Sequence, residues 1–244
     1  MSSTAPQEVV IVGGGLAGLS AAVFTARHGL DTLLIDSGGS LLRRNAHLEN
    51  FPGFPAGVNA RQLLDLLGEQ ADRAGCERLD TEVTLIEETE DGFAVETDGD
   101  ERVHTQYVVA ATKNEVGYLE EVEGLGIVVR GKAYVDVDER GRTGVSGLYA
   151  AGRLAEKPHQ AAVCAGHGTE VAVTILEDDD RPFYHDWVAP EGYFTARDRE
   201  IPPGCEEIDD EERHDRESES LDVMQARFSE PHPDDQETHP SLEE

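Results

Sequence analysis

Residues 8–36, EVVIVGGGLAGLSAAVFTARHGLDTLLID, are the stretch that decides the fold of this 244-residue chain. They comprise an apolar run over 8–12, a glycine-rich turn, a helix-like segment of small residues to about His28, and a second apolar run ending at Asp36. A strand, a G-x-G-x-x-G turn, a helix and a second strand within about 30 residues form the βαβ unit that binds dinucleotides. We therefore predict a Rossmann-like nucleotide-binding unit here.

Each glycine of the turn has its own expected task. Gly13 allows the tight turn, Gly15 lets the backbone approach a pyrophosphate, and Gly18 lets helix and strand pack closely. The helix start offers unpaired N–H groups to phosphates, and an acid ending the second strand accepts hydrogen bonds from a ribose. The predicted nucleotide-binding residues are Gly13, Gly15, Leu16, Ala17, Gly18, Asp36 and Ser37. The motif alone does not distinguish FAD from NAD, or from a glycine turn that binds nothing.

The next residues predict a helix followed by a small antiparallel sheet. Asn59 precedes a segment whose apolar residues fall on one helical face as far as Ala74, with Gly75 placed as the stop. Three apolar runs separated by short turns of acidic residues and glycine then predict a three-stranded antiparallel β-meander. These runs cover 82–88, 93–97 and 103–110.

The remaining elements complete an α/β pattern. We expect a loop over 113–130, strands at 133–137 and 148–151, and a helix from about His159 to Leu176. Strands that alternate with helices in this way predict a Rossmann-like fold with a parallel sheet, the antiparallel β-meander and flanking helices.

The composition changes towards the end of the chain, which divides it into three predicted parts. The α/β domain is assigned to residues 1–181 and an aromatic extension to residues 182–205. Residues 206–244 carry 16 acidic and 3 basic side chains, a net charge of −13. The few apolar residues of this segment cannot offset the roughly 1–2 kcal/mol per residue that ordering of the backbone costs. We therefore predict a disordered tail with a transient helix around Met224.

The chain as a whole is strongly acidic, with 51 acidic and 20 basic residues and a net charge of −31. The first 205 residues hold −18 of that charge (−31 + 13), and only three basic residues are lysines. This composition resembles that of proteins from extreme halophiles, in which concentrated salt screens self-repulsion.

Nucleic acid and anionic membranes would repel such a chain, and no apolar run reaches the roughly 18 residues of a membrane span. Because residues 1–8 lack the pattern of a secretory signal, we expect a cytoplasmic protein.

The cysteines and histidines indicate no metal or disulfide site. Cys76, Cys164 and Cys205 are widely spaced and form no C-x-x-C pair. The histidines likewise lack the spacing of metal ligands. Neither a zinc site nor a redox dithiol is therefore predicted.

Five motifs, in this order, resemble those of the FAD domain of the thioredoxin-reductase family. They are GGGLAGLSAA, NFPGFP, VVAAT, GLYAAG and HQAAVCAGHG, and the resemblance covers roughly residues 8–180. It implies FAD as the cofactor. In that family a nicotinamide-binding domain with a C-x-x-C dithiol is inserted after the VVAAT-like strand. Here the interval 113–130 holds 18 residues, too few for a second βαβ unit, so the chain resembles the flavin half of such a reductase.

The resemblance also implies a set of residues around the flavin. Asn50 corresponds to a position that lines the flavin ring, and Gln160 lies at a helix start, where the helix dipole would stabilise negative charge on a reduced flavin. Helix capping and packing are the plainer alternative for Gln160 and Ala161. The implied flavin-site residues are Asn50, Thr112, Gly152, His159, Gln160 and Ala161.

Several further residues have two interpretations each. Arg153 stands where the family has an acid, and could pair with the FAD pyrophosphate or mark weakened FAD binding. Lys113 stands where the family has a glycine, which puts the adenine-side contact in question. Arg44, with Arg43, is a phosphate contact or a surface charge. Cys164 either faces the flavin with a pKa lowered by the helix start or is a packed small residue, and the second is favoured.

The expected function is that of an FAD-dependent oxidoreductase of thioredoxin-reductase type. Its flavin would exchange electrons with an external donor or acceptor: a redox partner protein, a small thiol, a quinone or NAD(P)H. The resemblance implies a homodimer, and no catalytic side chain is assigned. Two alternatives stay open, a non-catalytic FAD- or nucleotide-binding sensor or interaction module, and a single domain that binds NAD.

Overall fold

The computed structural model describes residues 2–3, 6–99 and 101–242. These form two compact units, one of residues up to Asp178 together with the segment from Gln236, and one of Asp179–Asp235. The strands are β1 (Ser2–Ser3), β2 (Gln7–Val12), β3 (Thr32–Asp36), β4 (Glu77–Asp80), β5 (Val83–Thr89), β6 (Gly92–Thr97), β7 (Glu101–Ala110), β8 (Ile127–Val129), β9 (Ala133–Val135), β10 (Leu148–Ala150), β11 (Trp187–Pro190) and β12 (Cys205–Ile208). The α-helices are α1 (Leu16–Arg27), α2 (Ala60–Arg73), α3 (Ala161–Asp178) and α4 (Asp210–Arg227).

The first unit is built on an eight-stranded sheet with β7 at its centre. The strand order is β4-β3-β2-β7-β6-β5, and β1 and β10 also pair with β7. The strands β4, β3, β2, β7 and β10 are parallel, whereas β5, β6 and the first half of β7 form an antiparallel meander. The predicted fold class, a Rossmann-like parallel sheet with a three-stranded meander and flanking helices, is confirmed.

The strand β2 is apolar and buried from Val9 to Val12 because both of its faces are covered there. Val9 and Ile11 pack into a cluster that includes buried residues of α1 and α3. Val10 and Val12 face the other way, into a cluster that includes buried residues of the meander and of β10. A continuous apolar run is the pattern expected of a parallel strand buried on both sides.

Small residues let the helices approach the sheet and each other. A Cβ added at Gly18 would lie 1.9 Å from the Gly13 carbonyl oxygen, and one at Gly168 would lie 2.0 Å from the Ala17 carbonyl oxygen. Both distances are far below van der Waals contact, so only glycine fits at these two points. The second contact seats α3 against the first turn of α1.

The structure contains elements in the first unit that the sequence pattern did not predict. The strand β4 is polar and exposed, because it is an edge strand parallel to β3. The strand β9 lies within the strand expected at 133–137, but its hairpin partner β8 lies inside the expected 113–130 loop. A short 3-10 helix also spans Leu41–Arg44. The strand β4 and the 3-10 helix are too polar, and the three apolar residues of β8 too few, to give a periodic apolar pattern.

The second unit differs from the extension and disordered tail expected for 182–205 and 206–244. The strands β11 and β12 pair in parallel, and α4 follows directly. This helix buries no side chain, but Asp209 caps it by accepting the Glu212 N–H at 2.8 Å. Three acids occupy its first turn and Arg213 pairs with Glu217. Capping, helix-dipole and i,i+4 interactions thus favour a helix where composition alone predicted disorder.

No helix of the described residues is long and apolar enough to cross a membrane.

Candidate functional site

A cavity of about 850 Å³ opens at the carboxyl edge of the parallel sheet. The chain leaves β2, β3 and β7 at this edge, and short hydrogen bonds extend the sheet there: Gly13 N–H donates to the Ile35 carbonyl and Ala111 N–H to the Val12 carbonyl, both at 2.8 Å. The crevice outside the carboxyl ends of the strands is where open α/β sheets bind ligands. The volume also falls within the roughly 300–1,000 Å³ typical of small-molecule sites.

Most of the predicted site residues line this one cavity. They are Gly13, Gly15, Leu16, Ala17, Asp36, Ser37, Arg44, Asn50, Thr112, Arg153, His159, Gln160 and Ala161. Gly18 and Gly152 are not among the lining residues. Both lie where the chain packs closely, because a Cβ at Gly152 would approach the Ala17 Cβ to 2.6 Å.

The glycine-rich turn forms the floor of the cavity. Gly13 has φ +108°, a conformation that favours glycine, and a Cβ there would lie 2.8 Å from the Ala111 carbonyl oxygen. Gly15 is the N-cap residue of α1 and offers no side chain to the first N–H groups of that helix. A Cβ added at Gly15 would meet only Ser40 Oγ, at 3.8 Å, within 4 Å. The first turn of α1 therefore presents free N–H groups to an open space, as an anion site requires.

Asp36 explains a glycine to which the sequence pattern gave no task. A Cβ at Gly14 would lie 2.5 Å from Asp36 Oδ2. The carboxylate at the end of β3 thus lies directly over the glycine-rich turn, next to the N-terminus of α1. In this position it can accept hydrogen bonds from the hydroxyls of a ribose.

At the other end of the cavity, two predicted residues 110 positions apart meet. Asn50 Nδ2 donates to Gln160 Oε1 at 3.0 Å. His159 and Ala161 line the same wall. The Gln160 carbonyl accepts the Cys164 N–H, so Gln160 immediately precedes α3 and accepts the first hydrogen bond of its first turn. The structure therefore joins the two ends that the motifs implied, the glycine-rich turn and the start of α3, in one cavity.

A buried arginine holds the loop between these two ends. The Arg61 side chain is 3% exposed and donates from Nη1 to the carbonyl oxygens of Arg43 at 3.1 Å and Asn45 at 2.9 Å. The Arg43 carbonyl also accepts the backbone N–H of Glu237 at 3.0 Å. Glu237 and His239 thereby bring the C-terminal segment into the cavity wall. Sequence reasoning missed all of these contacts, because no local pattern links the positions.

Arg153 and its neighbour Gly152 have protein partners. The Arg153 guanidinium donates to the Tyr134 hydroxyl at 2.7 Å and to the Lys157 carbonyl at 2.9 Å, and its centre lies 5.0 Å from the Tyr134 ring centroid. The suggested pairing with a pyrophosphate is thus not what its contacts favour. Gly152 N–H donates to His167 Nδ1 at 2.9 Å, and burial lowers the pKa of this histidine to about 4.

Thr112 and Cys164 also face the cavity with their side chains engaged. Thr112 Oγ1 donates to the Glu115 carbonyl at 2.7 Å and lies 2.9 Å from the hydroxyl of the buried Tyr118. Cys164 Sγ lies 3.8 Å from the Pro158 carbonyl oxygen. Burial raises the pKa of the Cys164 thiol, opposite to the lowering suggested for a helix start. This agrees with a packed small residue rather than a reactive thiolate.

The cavity fits an FAD molecule by its shape and its donors. The open space above Gly15 and the free N–H groups of α1 suit a diphosphate, and Asp36 suits the adjoining ribose. The Asn50–Gln160 pair supplies amide groups at the other end of the same cavity. A dinucleotide needs both ends, and this cavity has both.

Comparisons with known proteins agree with this geometry. A family model described as an FAD binding domain matches residues 8–46. Curated thioredoxin reductases are similar in sequence: that of Chlamydia trachomatis is 38% identical over 85 residues, which are 33% of this chain and 27% of that protein. That of Streptomyces clavuligerus is 36% identical over 109 residues, 43% of this chain and 34% of that protein.

Solved structures show the same architecture. A thioredoxin reductase from Gloeobacter violaceus aligns with a TM-score of 0.66 at 17% identity, over 75% of this chain and 99% of that chain. The fold is that of the thioredoxin reductases. An oxidoreductase from Agrobacterium tumefaciens aligns with a TM-score of 0.65 at 15% identity, over 71% of this chain and 98% of that chain. The match to an FAD binding domain indicates that FAD is the cofactor of this thioredoxin-reductase-like site. The sequence matches span only about a quarter to a third of the two curated relatives.

Proposed function

We propose that this chain is an FAD-dependent oxidoreductase of thioredoxin-reductase type that passes electrons between its flavin and an external donor or acceptor. The observation that carries the proposal is a single cavity. It joins the glycine-rich turn and Asp36 at one end to the Asn50–Gln160 pair at the other. NAD, also a dinucleotide, would need both ends too, so the choice of FAD is supported by the match of residues 8–46 to an FAD binding domain.

The chain's own residues bind and orient the cofactor in this proposal. The N–H groups at the start of α1 hold the diphosphate, and the Asp36 carboxylate holds a ribose. Asn50 and Gln160 fix each other, so that Gln160 keeps a defined orientation at the start of α3. The positive end of α3 there favours added negative charge nearby. FAD itself supplies the electron-transfer chemistry when it is bound.

We extend the proposal to the surroundings of the protein. The electron donor or acceptor is a redox partner protein, a small thiol or NAD(P)H, since the sequence contains no C-x-x-C dithiol. The resemblance to thioredoxin reductases supports a homodimer, and the acidic composition supports a salt-rich cytoplasm. Light scattering of the protein in molar salt tests the dimer, and a monomeric mass contradicts it.

The cofactor assignment is tested by the absorption spectrum of protein purified in concentrated salt. We expect flavin absorption bands and one FAD per chain after reconstitution. Gly15→Val fills the space above the turn and should abolish FAD retention. Gly166→Ala is the matched control, because a Cβ at Gly166 meets no atom within 4 Å. Retention by Gly15→Val equal to that of the control would refute the site.

The redox assignment needs a separate measurement. Stopped-flow bleaching of the bound flavin with NADPH, a dithiol and reduced ferredoxin in turn should identify at least one fast donor. A protein that holds FAD but is bleached by none of these donors would instead be the flavin-binding sensor.

A further inference from the structure

Lys113 is a strained residue in the wall of the FAD cavity. Its φ is +68°, in the left-handed region that residues with a side chain rarely adopt. It is the third residue after the end of β7 and lines the cavity. A glycine or asparagine would adopt this conformation at lower cost. Something other than backbone preference must therefore account for a lysine, of which the chain has only three.

The position of Lys113 relative to the glycine-rich turn follows from the packing of the two preceding residues. A Cβ at Gly13 would lie 2.8 Å from the Ala111 carbonyl oxygen and 3.4 Å from the Thr112 nitrogen. Lys113 is one residue, about 3.8 Å, further along the backbone. Its flexible side chain starts beside the turn where a diphosphate would bind.

Charge pairing distinguishes Lys113 and Arg44 from most arginines of the molecule. Arg102, Arg142 and Arg216 each bind two carboxylates. The side chains of Lys113 and Arg44, by contrast, have no hydrogen-bond or ion-pair partner within the described part of the chain, although both line the cavity. An unpaired cation in a chain of net charge −31 is available to bind an anionic ligand.

The balance of charge in the cavity wall supports the same conclusion. Three basic and four acidic residues line the cavity, whereas the whole chain has 20 and 51. The seven are Arg44, Lys113, Arg153, Asp36, Glu82, Glu115 and Glu237. Arg153 keeps its charge but donates to the Tyr134 hydroxyl, so Lys113 and Arg44 are the cavity cations whose side chains have no partner within the described residues.

We propose that Lys113 binds the diphosphate of FAD, and that the strain at this residue is retained for its charge. This role rests on the proposed FAD site and deepens it. The same chemistry would recognise the diphosphate of free ADP, which gives a second probe without a flavin.

The test compares Lys113→Asn, Lys113→Gly and Lys113→Arg with the wild type. FAD and ADP dissociation constants are measured on the apoprotein by calorimetry at two salt concentrations, the lower one chosen where circular dichroism shows the fold intact. We expect Lys113→Asn and Lys113→Gly to weaken both ligands about tenfold or more at the lower salt, as for loss of a charge-assisted contact. The difference should shrink at the higher salt. Lys113→Arg should retain most of the affinity.

Thermal unfolding of the apoproteins supplies a readout that is independent of ligand. Lys113→Gly and Lys113→Asn should unfold at the same or a higher temperature than the wild type, because they relieve the strain. Lys132→Asn is the matched control, since Lys132 is an exposed lysine outside the cavity wall. It removes the same charge and should leave both dissociation constants unchanged.

Four results would contradict the proposal or the function on which it rests. Equal FAD affinity of wild type and Lys113→Asn would remove the role of Lys113 while leaving the FAD site intact. An equal loss in Lys132→Asn would show an effect of net charge only. A wild-type protein that binds ADP but not FAD would refute the proposed function while its ADP data still test Lys113, and one that binds neither would refute both.

Discussion

His167 should make the stability of the first unit depend on pH. The side chain is 4% exposed, its Nδ1 accepts the Gly152 N–H, and its Nε2 is buried without a hydrogen-bond partner among the described residues. Burial, assisted by the charge of Lys157, lowers the pKa of His167 from 6.5 to about 4. Protonation would place a proton on the acceptor nitrogen and break the bond to Gly152.

The lowered pKa of His167 determines the direction and size of the change in stability with pH. The unfolded chain takes up the proton near pH 6.5 and the folded chain only near pH 4. The contribution of His167 to stability is therefore complete above pH 6.5 and is lost as the pH falls towards 4. The full difference corresponds to about 3 kcal/mol, of which about 2 kcal/mol is lost between about pH 7 and pH 5.

The assay is urea unfolding at a series of pH values, with salt and a saturating FAD concentration held fixed. Far-UV circular dichroism is the signal, because the single tryptophan, Trp187, belongs to the second unit. Other groups also titrate in this range, so the quantity of interest is the difference between variants. His167→Asn keeps an acceptor for Gly152 but does not titrate, and its free energy of unfolding should fall by about 2 kcal/mol less from about pH 7 to pH 5.

His104→Asn is the control, because His104 is an exposed histidine on β7. It should show the wild-type dependence on pH. The reasoning fails if His167→Asn also follows the wild-type curve, since His167 would then carry its proton equally in both states. A constant offset in the stability of His167→Asn, from the smaller side chain, does not affect this comparison.

Three further predictions concern the cavity wall and the end of α3. Glu237→Pro removes the N–H that donates to the Arg43 carbonyl and should weaken FAD binding severalfold. Glu237→Ala keeps that N–H and should weaken FAD binding less, and equal FAD affinities of the two variants would show that the C-terminal segment does not support the site. Cys164→Ser should leave flavin reduction rates within about twofold, because its thiol pKa is raised, and a large loss would assign it a redox role. Asp178→Asn removes a carboxylate that accepts from Arg142 Nε and Nη2, both at 2.7 Å, and from the Tyr149 hydroxyl. Urea unfolding should show a loss of about 1–2 kcal/mol, and no loss would show that solvent screens this partly exposed pair.

The sequence predicts best what depends on neighbouring residues. The βαβ unit of residues 8–36 was predicted because its period, its glycines and its terminal acid all lie within one local pattern. The meander was predicted for the same reason. Gly14 was missed because its need for a glycine comes from Asp36, which reaches it only after the chain has passed through α1.

What the sequence could not predict depends on distant partners or on the absence of burial. The Asn50–Gln160 hydrogen bond joins residues 110 positions apart, and the role of Arg61 depends on carbonyl groups 16 and 18 residues before it. Only a transient helix around Met224 was predicted within α4, because this helix buries nothing. Its stability comes from capping and charge pairs rather than from an apolar stripe. Composition therefore predicted its exposure but not its structure.

The contrast between the whole chain and the cavity wall predicts how salt should affect the kinetics of FAD binding. At long range the net charge of −31 repels the anionic cofactor, and salt screens this repulsion, so the association rate should rise with salt. At short range Lys113 and Arg44 attract the diphosphate, and salt weakens that attraction, so the dissociation rate should rise too. Stopped-flow quenching of flavin fluorescence measures both. Lys113→Asn should keep the salt dependence of association but lose part of that of dissociation. If salt instead slows association in the wild type, the electrostatic potential at the cavity entrance is positive, and the net negative charge of the chain does not repel FAD there.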